Sequence, residues 1–284
     1  MHTATVRGDT DAAAARGSIR SGLHTGPTSG LAPGFAQANL VVLPHSDALD
    51  FLRFCVRNPA PCPLLEVTDT GSPHPGGLAA GADLRTDLPR YRVFRDGKCV
   101  DEPTDISQYW CSDLVAFLLG CSFTFEWALA SAGLPVAHQE QHKNVPMYVT
   151  DRQCVCAGRF HGPMVVSMRP YPQQDVGRVA EITARFPAMH GAPVHAGEPS
   201  ALGIADLDAP DFGDPVSLSA DEVPVFWACG VTPQAVVENA RPSLAIFHAP
   251  GHMFITDLPH DSFDCHSRAT RFVSREATHD RRSG

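Results

Sequence analysis

Five short stretches of the chain mix small residues with polar or reactive ones in patterns that could do chemistry. The first is Thr25-Gly26-Pro27-Thr28-Ser29-Gly30, with Arg20 before it and Gln37 and Asn39 after it. Its backbone amides could cradle an anion, with Thr28 as a hydroxyl donor, although it has neither the lysine nor the glycine spacing of a nucleotide phosphate loop. A plain turn-rich connection is the competing reading. The second, Asp83 to Arg90, alternates charge just before a strand, so Arg85 or Arg90 could fork a carboxylate or simply pair with Asp83 and Asp87 at the surface.

In the third stretch, Ser122-Phe123-Thr124-Phe125-Glu126, a carboxylate set among bulky apolar residues would have its pKa raised by desolvation, which suits a general acid or base. A solvent-facing Glu126 would be only a residue near a helix start. The fourth, Cys229-Gly230-Val231-Thr232-Pro233, joins a strand to a helix. A thiol there gains from the helix N-terminus and the amides near Gly230, with Thr232, offer an oxyanion site, unless Cys229 is only a small packing residue. The fifth is His248-Ala249-Pro250-Gly251-His252, whose proline and glycine break any helix and with it the zinc meaning of an i, i+4 histidine pair. His252 remains either an acid/base group or a structural histidine. Cys154 and Cys156 form a lone C-x-C pair without a second pair, so no metal is expected.

Several elements must position these stretches. Asn39–Leu43 reads as a buried strand, followed by a helix capped by Ser46 and Asp47 with Leu49, Leu52, Phe54 and Val56 as its apolar positions. Leu64–Thr68 is a strand, and Tyr91–Phe94, Asp96-Gly97 and Lys98–Val100 form a hairpin. Asp113–Leu119 and Phe123–Ala132 read as helical segments broken near Gly120, and Met147–Thr150 and Met164–Met168 as strands. Val176, Val179, Ile182 and Phe186 share a helix face, and strand 223–228, helix 232–240 and strand 244–248 close the pattern. The alternation predicts an α/β fold: a mixed, parallel-rich sheet flanked by helices, with a second, smaller α+β lobe. Residues 1–15 and 263–284 lack an apolar period and are expected to be disordered around a two-lobed domain over 16–262. The tail's Arg268, Arg271, Arg275, Arg281 and Arg282 are expected to be solvated.

With 284 residues, 43% hydrophobic content and a formal charge of −9, the chain can fill a core and would repel a phosphate backbone. It has no stretch long enough for a membrane span, and its nine irregularly spaced cysteines do not form a disulfide scaffold. The expectation is a cytoplasmic enzyme for a small anionic metabolite, without nucleic acid or membrane as partner and compatible with a homo-oligomer.

The strings GPTSGLAPGFAQANLVVLP, FCVRNPAPCPLLEVTD, DLRTDLPRYRVFRDG, SFTFEWAL, NVPMYV, GPMVVSMRP, EVPVFWACGVTPQ and HAPGHMFITDLP, spread from Arg16 to Pro259, resemble the D-glutamate cyclase-like family of hydro-lyases. The resemblance implies a two-lobed α/β protein and, for at least one branch, dehydration of D-glutamate to 5-oxo-D-proline. It supplies no agreed catalytic residue. Residue chemistry assigns anchoring to Arg85 and Arg169, oxyanion donation to amides near Gly230 and to Thr232 or Thr28, and proton transfer to Glu126 and His252, with Cys229 at the substrate and no cofactor. A lyase or hydrolase for another small carboxylic acid, or a non-catalytic metabolite-binding protein, are the alternatives.

Overall fold

Residues 35–44 carry only apolar, small or amide side chains, and in the computed structural model, which describes residues 11–266, they form the long strand β1 (Phe35–Pro44). One edge of β1 pairs with β5 (Leu114–Gly120); the other pairs with β11 (Phe254–Pro259) near its start and β10 (Ala245–His248) further along. With β2 (Leu64–Val67), β3 (Tyr91–Arg95) and β4 (Lys98–Asp101) these make a seven-stranded sheet, ordered β2-β5-β1-β10-β3-β4 with β11 beside β1. A second sheet, ordered β6-β7-β9-β8, holds β6 (Met147–Gln153), β7 (Pro163–Pro172), β8 (His195–Ala196) and β9 (Glu222–Ala228).

Alternate residues of β1 and β5 feed two cores. Val41, Leu43, Phe117 and Leu119 pack against Phe51 and Phe54 of helix α2 (His45–Arg57). Leu40, Val42, Ala116 and Leu118 face Leu78, Leu84 and Leu88 of the long connection between β2 and β3. Helices α3 (Phe123–Ser131), α4 (Ala137–Glu140), α5 (Val176–Ala184) and α6 (Thr232–Ala240) complete the chain after α1 (Ala12–Arg20). Among the described residues no helix is long and apolar enough to cross a membrane.

The expected parallel-rich sheet is not what forms: every strand pairing in both sheets is antiparallel. Strand and helix do alternate, but no helix returns the chain to the neighbouring strand of the same sheet. After α2 the chain enters β2, which points the same way as β1 but lies beyond β5. After α5 it enters β8, which is separated from β7 by β9, while α3–α4 and α6 carry it from one sheet to the other. Sequence alternation records that a helix follows a strand, not which strand lies alongside.

Two local expectations also change. Residues 113–119 are not helical: Leu114–Gly120 is the fully buried β5, and a continuous apolar run buried on both faces carries no period that separates strand from helix. In α2 the buried positions are Phe51, Phe54 and Cys55, while Leu49 and Val56 are exposed. The hairpin stands as expected, with Asp96 and Gly97 at φ 49° and 81° turning β3 into β4.

The ends of the domain move outward. Ala12, Ala15 and Ile19 of α1 pack with Ala32 and Ile255, and the buried Arg16 donates to the Ile255 carbonyl at 2.9 Å and pairs with Asp257 at 2.7 Å. Phe263 and Asp264, inside the expected tail, are buried; the tail arginines from Arg268 onward lie outside the described residues. Deleting residues 1–15 removes Ala12 and Ala15 together with the Asp11 side chain that caps the helix. Loss of one cap and two packed alanines amounts to roughly 1–3 kcal/mol, and thermal melts of the truncated protein are expected to show a midpoint lowered by several degrees.

Candidate functional site

Ser167 and Arg169 sit two residues apart on β7 and therefore share one face of the second sheet. That face meets α3, whose first turn carries Glu126 and whose preceding residue is Ser122. Arg169 is wholly buried, its guanidinium carbon 5.4 Å from the ring centres of both Phe125 and Trp227. Its Nε and Nη2 donate to Glu126 Oε1 at 2.9 and 2.5 Å, Nη2 also reaches Ser122 Oγ at 2.9 Å, and Nη1 reaches Ser167 Oγ at 3.2 Å. Glu126 is only 2% exposed, so both charges have left water and depend on each other.

The second carboxylate oxygen is held from the other side. Glu126 Oε2 accepts from Gln139 Nε2 at 2.7 Å and from Ser29 Oγ at 3.2 Å. Gln139 belongs to the four-residue α4, which follows the Gly133–Pro135 stop of α3, and Ser29 to the loop before β1. His138, the neighbour of Gln139, brings Nε2 to 3.4 Å from Glu126 Oε1 and 3.2 Å from Ser29 Oγ. Burial, reinforced by Arg169 and opposed by Glu126, pushes the His138 pKa down to about 4. The imidazole is therefore neutral near pH 7. Its proton is assigned to Nε2, where a carboxylate and a hydroxyl can accept it.

A cavity of about 140 Å³ opens beside Glu126, bounded by Leu31, Phe35, Gln37, Phe123, Trp127, Gln139 and His260 among others. Trp127 stacks on His260 with centroids 5.4 Å apart and forms one wall. The volume suits a metabolite of amino-acid size better than a nucleotide. A wider concavity of about 530 Å³ lies at Glu181, Arg185 and Cys265 and shares no lining residue with it. Carboxylate, neutral imidazole, hydroxyl and carboxamide within one hydrogen-bonded set can accept, hold and return a proton beside a small ligand.

Of the residues singled out from the sequence, Glu126 and Arg169 meet directly, as partners of each other. The fully buried Arg169 is engaged by Glu126, Ser122 and Ser167, so it braces the carboxylate from behind. Thr28 is next to Ser29, but its hydroxyl is taken by the Gly251 carbonyl and the Met253 amide. Thr232 Oγ1 donates to the Cys229 carbonyl at 2.7 Å and accepts from the Val165 amide at 3.0 Å, fastening α6 to β7. Cys229 is buried among Phe123, Met253 and other apolar residues, and burial raises its thiol pKa to about 11, so it is not a thiolate at neutral pH. Gly230 is small because a β-carbon there would come within 2.1 Å of the Asn39 side chain. His252 turns Nδ1 to its own loop at Pro250, with its pKa lowered by burial. Arg85 is paired with Asp83 at 2.7 Å on the far side of the charged connection and contacts none of the Glu126 set.

His138, Gln139 and Ser167 were not singled out by sequence. The segment 137–140 is too short to show a period, and its only signal is three polar residues, His138, Gln139 and Glu140, just after a helix stop. Among the described residues no group of three or more His, Cys, Asp or Glu side chains is arranged to hold a metal ion.

His138 shares its depressed pKa with His190, His248 and His260, each lowered to about 4 by burial. The unfolded chain, with histidines near 6.5, takes up these protons first on acidification. Stability is therefore full above about pH 6.5 and falls as pH drops toward 4, by up to roughly 1.4 kcal/mol per pH unit for each histidine. Urea melts at pH 7 and pH 5 are expected to show this loss, and His138→Gln to show a shallower one.

Comparison with known proteins identifies the family. A family model described as D-glutamate cyclase matches residues 115–257, which include Glu126, His138, Gln139 and Arg169. A protein of Rubrobacter xylanophilus described as "Putative hydro-lyase" is 68% identical over 246 residues, covering 87% of this chain and 95% of that one. Proteins so described from Bacillus licheniformis and Streptomyces coelicolor are 56% and 60% identical, over 93% and 88% of this chain and 99% and 89% of their own. A nitrogen repressor-like crystal structure from Methanococcus jannaschii aligns with a TM-score of 0.38 at 10% identity over 86% of this chain and 94% of that chain, too distant to bear on fold or function. From the family match and these near-full-length relatives, the chain belongs to the D-glutamate cyclase family.

Proposed function

We propose that this chain is a hydro-lyase that closes D-glutamate to 5-oxo-D-proline in the cavity beside Glu126. The observation that carries the reading is a buried carboxylate at the cavity wall, with one oxygen locked by Arg169 and the other held by Ser29 and Gln139. In the closure the amine nitrogen bonds to the side-chain carboxyl carbon, one carbon–oxygen bond breaks, and water leaves. The ammonium gives up two protons and the departing oxygen gains two, so the reaction consumes no external acid or base. A single relay that accepts a proton and returns it suffices. Glu126 fills that role, with His138 and Ser29 as neighbours able to share the proton.

Holding amine and carboxyl together in a closed cavity supplies much of the rate, because both groups belong to one molecule. The carboxylates are assigned to the loop Gly30–Pro33, which lines the cavity and turns with φ of 75° at Gly30 and 50° at Ala32. Turns of this kind present backbone amides to an anion. Arg85, already paired with Asp83, has no part in this assignment. The reading requires no cofactor.

Formation of 5-oxo-D-proline from D-glutamate, followed by chromatography, tests the assignment. Glu126→Gln is expected to lower kcat by about a hundredfold or more, with Arg85→Ala and Cys229→Ser within about twofold of the parent protein. Because Glu126→Gln leaves Arg169 without its partner, a loss of stability of roughly 3–5 kcal/mol accompanies it, and kcat is read well below the variant's melting midpoint. Full activity in Glu126→Gln, or loss in Arg85→Ala, would move the site elsewhere.

A further inference from the structure

Gln37 of β1 lines the same cavity and is only 4% exposed. Its amide nitrogen is fixed by two carbonyl oxygens, donating to Thr28 O at 2.8 Å and Leu31 O at 3.2 Å. Two acceptors on that side require the NH2 group there, so the orientation of the carboxamide is set by its neighbours and not by choice. Its surroundings are held as well. The Thr28 amide donates to Gly251 O at 2.8 Å, and the Gln37 backbone amide donates to Thr124 Oγ1 of α3 at 3.1 Å. Gln37 Oε1 is left as a buried acceptor without a hydrogen-bond partner among the described residues.

The polar character of the cavity wall points the same way. Glu126 contributes a carboxylate oxygen, and Arg169, its balancing cation, lies behind it and does not line the cavity. His260, stacked on Trp127, is the wall's other titratable group. Gln139 lines it too, with both Nε2 hydrogens spent on Glu126 and Ser29, and the remaining wall includes Leu31, Pro33, Phe35 and Phe123. A ligand entering this space meets the Glu126 carboxylate, with the unpaired Gln37 Oε1 buried in the same wall, so its donor-bearing, positively charged end belongs on that side. A buried acceptor that stays unpaired discriminates strongly against a ligand lacking the matching N–H.

We propose that Gln37 is a specificity-determining residue whose Oε1 accepts a hydrogen bond from the ligand's amino group, so that the cavity selects α-amino acids over the corresponding plain dicarboxylic acids. The inference rests on the cavity being the substrate site, but it concerns binding and stands apart from turnover. It also fixes the ligand's direction: the amine lies between β1 and α3, within reach of the Glu126 carboxylate that the closure reaction requires.

Calorimetric titration of the full chain with D-glutamate and with glutarate, its deamino analogue, tests this. The parent protein is expected to bind D-glutamate at least tenfold more tightly than glutarate. In Gln37→Leu the preference is expected to fall to near unity, with D-glutamate binding no tighter than glutarate. Comparing two ligands that share both carboxylates separates loss of the amine contact from loosening of the loop, which would weaken both alike. If Gln37→Leu does not fold, Gln37→Asn keeps the amide but withdraws the oxygen, and its preference is expected to be intermediate. A parent protein that binds both ligands equally, or a Gln37 variant that keeps the full preference, would overturn the proposal. Amine-dependent binding without formation of 5-oxo-D-proline would uphold Gln37 and reject the cyclisation reading, whereas cyclisation that survives undiminished in Gln37→Leu would reject Gln37 alone.

Discussion

The ion pair between Glu126 and Arg169 is the constraint on which the site and much of the fold depend. Arg169 stands on β7 of the second sheet, while Glu126 stands on α3, which leaves the first sheet after β5. Their contact ties the two sheets together at a point where neither charge reaches water. Such a pair contributes little net stability compared with apolar packing, yet removing either member strands the other charge, at roughly 3–5 kcal/mol. The chain must therefore deliver every remaining partner to the same place: Ser122 and Ser167 to Arg169, Ser29 and Gln139 to Glu126. A loop before β1, a helix after β5, a four-residue helix and a sheet strand converge because an incompletely paired carboxylate at this depth would not be tolerated.

The antiparallel topology makes this convergence feasible. Helices α3 and α6 each carry the chain between sheets, so the junctions at both ends of these crossings lie close together and must be thin. Gly120, at the end of β5, would place a β-carbon 1.8 Å from the Ala188 carbonyl oxygen, and Gly230 would place one 2.1 Å from Asn39. Gly230 looks like an anion-binding junction in sequence because close backbone approach and anion cradling call for the same residue, whereas Gly120 reads only as a break between helices. Here the space is filled by the protein itself. The same holds for Thr232 and Cys229, whose polar atoms serve the seam between α6 and β7.

How much of this was legible follows from the range of each interaction. The hairpin at Asp96-Gly97, the helices over 123–131 and 232–240 and the buried strand at 39–43 are local features, and local chemistry encodes them. Glu126 was legible as a carboxylate among aromatic residues, and Arg169 as a candidate anchor for a substrate carboxylate. That they bind each other was not, because 43 positions separate them and only the sheet-to-sheet crossing brings them together. The same limit hid the antiparallel order: the βα alternation is local, while the choice between adjacent and skipped strands is set by long-range packing. Arg85 drew attention through alternating charge, but Asp83 two residues away satisfies it first.

The position of Arg169 behind Glu126 has an electrostatic consequence for the proposed substrate. A lone buried carboxylate would repel a dicarboxylic amino acid, and a guanidinium in the cavity would hold a substrate carboxylate but also the amine's competitor, the free acid. With the cation on the side away from the cavity lining, Arg169 pairs with one oxygen of Glu126, while the second is held by Gln139 and Ser29. Recognition then falls to neutral groups whose directions are fixed: backbone amides for the carboxylates, a carboxamide oxygen for the amine. His138 fits this scheme because its low pKa keeps it uncharged, so it can pass a proton without adding a second cation beside Arg169. A site that must carry an amine from charged to neutral, and return the same protons to a departing water, works best when none of its own groups is left with a different charge at the end.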